Sequence, residues 1–233
     1  MEKAREEQVV ALCRELIQQK SYSGEEDGVV KVLSARMKEM GFDQVTVDKY
    51  GNIIGCIKGN RSGKKILFDG HIDTVPVTEE KEWEYPPFAA EIHDGKIYGR
   101  GTSDMKGAVA AMASAAACFA QDTNKDFAGE IYVAGVVHEE CFEGVAAREI
   151  SRQVQPDYVV IGEASQLNIK IGQRGRAEIV IETFGKPCHS ANPEKGINAV
   201  YKMAKVIEAI RTLEPTHHPV LGYGADLISV SSR

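Results

Sequence analysis

Residues 64–76 read KKILFDGHIDTVP, a short apolar strand, Lys64 to Phe68, that runs straight into His71, Asp73 and a closing proline. Polar residues gathered where a strand ends lie where α/β folds carry their chemistry. The arrangement recurs downstream. Glu130 to Val137 is a second apolar run, ending at His138-Glu139-Glu140, and Asp157 to Ile161 is a third, ending at Gly162-Glu163-Ala164-Ser165. Three β-like runs that each finish in acidic residues are hard to explain as solvated surface alone. Between them GRGTSDMKG, residues 99–107, opens an Ala-rich helix from Ala108 to Ala120, and a further helix is expected from Val145 to Gln153. The class read from these elements is α/β or α+β, with the chemistry placed as in α/β folds.

Upstream, residues 3–20 place Val9, Val10, Leu12, Cys13, Leu16 and Ile17 on one helical face. Glu26 to Met40 repeats the pattern with Val29, Val30, Val32, Leu33 and Met37. Val45 to Val47 and Ile53 to Ile57, joined through Tyr50-Gly51-Asn52, read as a hairpin-like pair of strands. Val77 to Gly101 reads as a long connection. Near Gly172 the text changes character. QRGRAEIVIETFG, residues 173–185, reads as one long alternating strand, and Asn198 to Leu213 as an amphipathic helix. A domain boundary is expected there, dividing the chain into 1–173 and 174–233. The stretch 214–233 holds Pro215 and a candidate strand, Asp226 to Val230, too little to finish an independent fold.

The 233 residues are 43% hydrophobic and 27% charged, with a formal net charge of -6, ordinary for a soluble globular protein. No Lys/Arg cluster supplies the positive field that phosphates require, so no nucleic-acid partner is expected. The N-terminus MEKAREEQVVALCRELIQQ carries charges where a signal peptide needs its apolar segment, and nothing approaches the roughly 18 apolar residues of a membrane span. A cytoplasmic protein without a membrane partner is expected. Cys13, Cys56, Cys118, Cys141 and Cys188 are widely spaced with no CxxC pair, which suggests neither a disulfide framework nor a thiolate zinc site.

Several acidic residues sit in apolar or Gly-rich surroundings, where ionised carboxylates are costly unless something positive compensates them. His71 and Asp73, two positions apart, can point into the same cleft if the chain is extended. His71 could then bind a divalent metal while Asp73 fixes its ring. Asp104, at the start of a Gly-rich helix, offers two oxygens that could bridge a pair of ions. Glu139 and Glu140 would face opposite ways in extended chain and so serve different roles, one binding metal and the other moving protons. Glu163 supplies a further oxygen. His93, His217 and His218 fit no such pattern and read as loop residues.

The segments DGHIDTVP, GRGTSDMKG, HEE, GEAS, GQRGRAEI and HSANPEKGINAV resemble, in order and spacing, those of the M20 family of metallopeptidases and amidohydrolases. RGRAEI and PCHSANPEKG are most similar to its selenium-metabolism-linked hydrolase branch. The resemblance implies a mixed-sheet, zinc-peptidase-like catalytic domain over 1–173, with an inserted α+β, ferredoxin-like lid domain over 174–233. It implies a metal-dependent hydrolase that cleaves an amide or peptide bond of a small N-acyl amino acid or dipeptide-like substrate through a metal-activated water. Two divalent ions are implied, zinc first with cobalt or manganese as alternatives: His71 and Glu163 on one, Glu140 on the other, Asp104 bridging. Asp73 is implied as the partner of His71 and Glu139 as general base. His189 is implied to donate to the oxyanion, often in the partner subunit of a homodimer formed through the lid. Arg174 and Asn198 fall in stretches implied to contact substrate carboxylates.

Members of the family that the chain resembles run further, returning from the lid to finish the first domain with one more metal-binding histidine. No counterpart of that return is found before Arg233. The expectation is a chain with both domains partial and a second ion held only by Asp104 and Glu140. The competing expectation is a truncated, inactive remnant that binds metal or dimerises.

Overall fold

In the computed structural model, which describes residues 2–142, 144–172 and 179–213, the chain divides into two units, Met1–Lys170 and Ile171–Arg233. In the first, apolar spacing produces α1 (Glu2–Gln18), which buries Leu12, Cys13, Leu16 and Ile17, and α2 (Asp27–Glu39), which buries Val29, Leu33 and Met37 at successive turns. Past α2, Gly41 N–H donates to the Lys38 carbonyl and Phe42 N–H to that of Met37, both at 3.1 Å. These paired bonds satisfy the last helical carbonyls and turn the chain toward the sheet.

The strands follow as β1 (Gln44–Val47), β2 (Ile53–Lys58), β3 (Arg61–His71), β4 (Glu91–His93), β5 (Lys96–Tyr98), β6 (Ala128–Val136) and β7 (Tyr158–Ile161). The helices α3 (Gly107–Asp122) and α4 (Val145–Val154) interleave with them. One mixed sheet has the order β1-β2-β6-β3-β7. β1 and β6 run antiparallel to β2, whereas β3 runs parallel to both β6 and β7. The carboxyl ends of β3, β6 and β7 therefore share one edge of the sheet, the edge at which parallel α/β sheets present ligand-binding groups. Beyond the strand ends, Ile72 N–H still reaches the Val136 carbonyl at 2.8 Å and Gly162 N–H the Asp69 carbonyl at 2.9 Å.

The core packs between this sheet and the helices and includes Leu16, Ile17, Val29, Leu33, Ile53, Ile57, Ile72, Val133 and Ile150, all essentially without exposure. Gly70, one residue before His71, is set by a close approach. A Cβ there would lie 2.7 Å from Met105 Cε and 2.9 Å from Val109 Cγ2, so a side chain at this position would push α3 off the strand that carries the histidine.

Two differences from the sequence reading have physical causes. The connection 77–101 contains the two-stranded hairpin β4–β5, closed by Asp94 and Gly95, both at positive φ. That is the backbone a two-residue hairpin loop requires, and Asp-Gly is a favoured pair for it. The expected long strand over 173–185 is not formed in its described part. Residues 179–185 carry no ladder, and Ile179, Val180 and Phe184 are exposed. Alternation alone does not make a strand without a hydrogen-bonded neighbour. The pairing recorded nearby is a single bridge, Lys186 with Ile197.

The second unit also contains α5 (Ala199–Arg211), whose start is capped by Asn198, its side chain accepting from Val200 N–H. Residues 173–178 and 214–233, with Arg174, His217, His218 and the candidate strand 226–230, lie outside the described residues. Among the described residues no helix is long and apolar enough to cross a membrane.

Candidate metal centre

β3 delivers His71 to the functional edge with its side chain only 2% exposed. Its Nδ1 lies 2.9 Å from the backbone carbonyl of Asp73 and 3.6 Å from that residue's carboxylate. Donation from Nδ1 to the carbonyl leaves Nε2 facing Asp104 Oδ1 at 2.8 Å and Glu163 Oε2 at 3.7 Å. One donor atom each from His71, Asp104 and Glu140 fall within 4.8 Å of one another. Four segments distant in sequence thus meet: the end of β3, the distorted turn Thr102–Lys106 before α3, the turn after β6, and the residues just past β7.

The electrostatics follow from crowding. Burial raises the pKa of Glu139, Glu140 and Glu163, and mutual repulsion with nearby carboxylates adds to it, Asp104 foremost for Glu140 and Glu163. For His71, burial alone would lower the pKa, but its bonds to Asp73 and Asp104 prevail and raise it to about 10. One imidazole and several carboxylates form a nitrogen and oxygen donor set that suits zinc and tolerates cobalt or manganese. The chemistry of these donors fits a divalent cation.

Asp73 is fully buried, and its carboxylate serves mainly the neighbouring turn. It accepts from Ser23 Oγ at 2.7 Å and from the N–H groups of Glu139 and Glu140 at 3.1 Å each. Burial pushes its pKa up, but these bonds and His71 hold it below the usual carboxylate range. His-Glu-Glu is accordingly not extended, as the sequence reading assumed. His138 adopts φ 58 and the two glutamates occupy a turn, because one carboxylate gathers two successive N–H groups that a strand would point apart.

Three residues escaped the sequence reading. Ser23 and Glu26 belong to a polar cluster, SGEE, between the first two helices. Glu26 is buried and accepts from His138 N–H at 3.1 Å. Lys106 is fully buried and its Nζ donates to the carbonyls of Leu16 at 3.0 Å and Gln19 at 2.7 Å, tying the Asp104 turn to the end of α1. Burial lowers its pKa to about 8. A lysine two residues after a candidate ligand was the available signal.

The structure therefore brings together His71, Asp73, Asp104, Glu139, Glu140 and Glu163. His189 and Asn198 belong to the second unit, where His189 Nδ1 accepts from Ala191 N–H at 3.2 Å and Asn198 Oδ1 from Val200 N–H at 2.8 Å.

Known proteins resemble this chain as follows. The profile of peptidase family M20/M25/M40 matches residues 67–230, more than half of the chain. Escherichia coli YgeY is 34% identical over 217 residues, covering 91% of this chain and 53% of its own length. Succinyl-diaminopimelate desuccinylase 2 of Ruegeria sp. is 34% identical over 211 residues, covering 85% and 53%. Among solved structures, the M20 family metallo-carboxypeptidase Sso-CP2 of Sulfolobus solfataricus superposes with a TM-score of 0.64 at 22% identity, covering 85% of this chain and 48% of that one. The chain spans about half the length of the curated relatives it matches.

Proposed function

The chain belongs to peptidase family M20/M25/M40, and from that premise we propose that it carries the metal site of a hydrolase acting on an amide or peptide bond of a small N-acyl amino acid or dipeptide-like substrate. The observation that carries this reading is the convergence of a buried imidazole with the carboxylates of Asp104, Glu140 and Glu163. The desuccinylase among the relatives supports an N-acylated substrate.

His71 and Glu163 would hold one divalent ion and Glu140 a second, with Asp104 shared; zinc is the first choice and cobalt or manganese suit the same donors. Such a pair, if bound, would supply Lewis-acid chemistry, bringing the pKa of a bound water toward about 7. Glu139, whose pKa burial raises, takes the proton of the attacking water and returns it to the leaving amine. Asp73 fixes the tautomer of His71 and holds the backbone of the Glu139–Glu140 turn. His189 would donate to the developing oxyanion, and Arg174 would meet a substrate carboxylate. Asn198 has its oxygen engaged in capping α5, so its amide NH2 is the group that would do the same.

The unit from Ile171 onward is proposed as part of a lid through which a cytoplasmic homodimer forms. The test is a panel of N-acyl amino acids and dipeptides presented to the purified enzyme before and after chelation. Turnover should vanish with the chelator and return with zinc, cobalt or manganese. Turnover indifferent to chelation would overturn the proposal.

A further inference from the structure

The turn that carries Glu139 and Glu140 is closed by backbone bonds from Cys141 and Phe142 N–H to the His138 carbonyl, but its own N–H groups are held by side chains. Four successive backbone N–H groups donate to side-chain oxygens drawn from three remote segments. Val137 donates to Asn52 Oδ1 at 3.0 Å, His138 to Glu26 Oε1 at 3.1 Å, Glu139 to Asp73 Oδ1 and Glu140 to Asp73 Oδ2, each at 3.1 Å. Asp73 is accounted for by the site. Glu26 and Asn52 are not.

Both are buried, Glu26 to 5% exposure and Asn52 completely, and both are committed on their far sides. Glu26 Oε2 accepts from Gly24 N–H at 2.9 Å, and its carbonyl accepts the bond from Val30 N–H that opens α2. Asn52 Nδ2 donates to Asp48 Oδ2 at 2.8 Å and to the Ala146 carbonyl at 3.1 Å, in the first turn of α4. The Glu26 carboxylate, which accepts two backbone N–H bonds and also lies 3.7 Å from His138 Nδ1, fixes a conformation that the backbone does not favour by itself, here a His138 at positive φ.

We propose that Glu26 and Asn52 are positioning residues for the reaction. They set the turn Val137–Glu140 so that Glu139 faces the attacking water and Glu140 faces metal. This rests on the hydrolytic reading above. Glu26→Gln is the sharpest probe because it conserves shape. A glutamine offers one oxygen to two N–H groups, His138 and Gly24, so one of them is left facing an NH2.

Amide hydrogen exchange on the wild-type protein comes first. The amides of residues 137–140 should exchange about as slowly as those of β6, and exchange at the rate of an open turn would overturn the proposal. In Glu26→Gln those amides should exchange about tenfold faster or more, and kcat should fall about tenfold with KM nearly unchanged. The control is Ile57→Ala, a fully buried substitution paired with Ile131 at the opposite end of β6 from the turn, which should lower the melting temperature without lowering kcat per folded molecule. Equal loss of kcat in both variants would mean general destabilisation and would sink the idea, as would unchanged exchange in Glu26→Gln. If the wild type shows no metal-dependent hydrolysis, the functional reading fails by itself. The exchange rates, with a Co2+ titration in which Glu26→Gln should bind about tenfold more weakly, then decide the positioning claim.

Discussion

Replacing Asp73 by asparagine changes one atom of one side chain and should cost several kcal/mol. The carboxylate accepts three hydrogen bonds, from Ser23 Oγ and from the N–H groups of Glu139 and Glu140. An asparagine keeps most of them if its oxygen takes the place of Oδ2, which serves Ser23 and Glu140. Its NH2 then faces the Glu139 N–H, and two buried donors meet. The unpaired donor costs about 1–3 kcal/mol, and loss of the charge weakens the two surviving bonds by about 1 kcal/mol each. A total of about 3–5 kcal/mol is expected at neutral pH, read by urea unfolding in the presence of a chelator. The sign with pH is also fixed. The pKa of Asp73 is depressed in the folded state, so its contribution is present above the unfolded value, roughly 4, and fades as the pH falls through the lower folded value. The gap between wild type and Asp73→Asn should be flat from about pH 5 to 8 and narrow below about pH 4. A gap under about 1 kcal/mol at pH 7, or one that widens in acid, would refute this view of the turn.

Three further outcomes are expected. Glu139→Ala should abolish turnover while nearly conserving metal content, whereas Glu140→Ala should lose metal as well; equal loss of metal from both, by elemental analysis, would reverse or merge their roles. Asp69 is pushed up to about 6, chiefly by burial, and its Oδ1 has no partner. A raised carboxylate adds stability below its unfolded pKa that is lost as the pH climbs through about 6. The metal-free wild type should therefore lose up to about 3 kcal/mol relative to Asp69→Asn between about pH 4 and 7, and parallel stability curves would contradict this. Lys106→Met should lower stability by about 1–3 kcal/mol by removing the Lys106 bond to the Gln19 carbonyl and one of the two bonds to that of Leu16, which also accepts from Gln19 N–H; an unchanged melting temperature would show that Lys106 is no tether.

The functional edge was legible because its strands announce themselves. Ile66-Leu67-Phe68, Ile131 to Val137 and Tyr158 to Ile161 are apolar runs, and each stops at an acidic tip that a parallel sheet brings to one side. The hairpin at 91–98 was missed although His93-Asp94-Gly95-Lys96 holds the turn signal, since strands of three residues are too short to show alternation. The His138–Glu140 turn was not legible at all. Its shape depends on Asp73, Asn52 and Glu26, which lie 66 to 112 residues away in sequence, and no local pattern reports a bond of that range. Burial of Lys106 has the same origin, because its two acceptors belong to α1 and the residues just after it.

The central claim is that His71, Asp104, Glu140 and Glu163 form one divalent-metal centre. Crystals of the zinc-loaded protein, measured on both sides of the zinc absorption edge, test it with no assumption about substrate. The account predicts anomalous density about 2.0–2.2 Å from His71 Nε2 and from carboxylate oxygens of Asp104 and Glu163, with a second peak at Glu140 sharing Asp104. Zinc bound elsewhere, or His71 Nε2 still paired directly with Asp104 at saturating zinc, would contradict it.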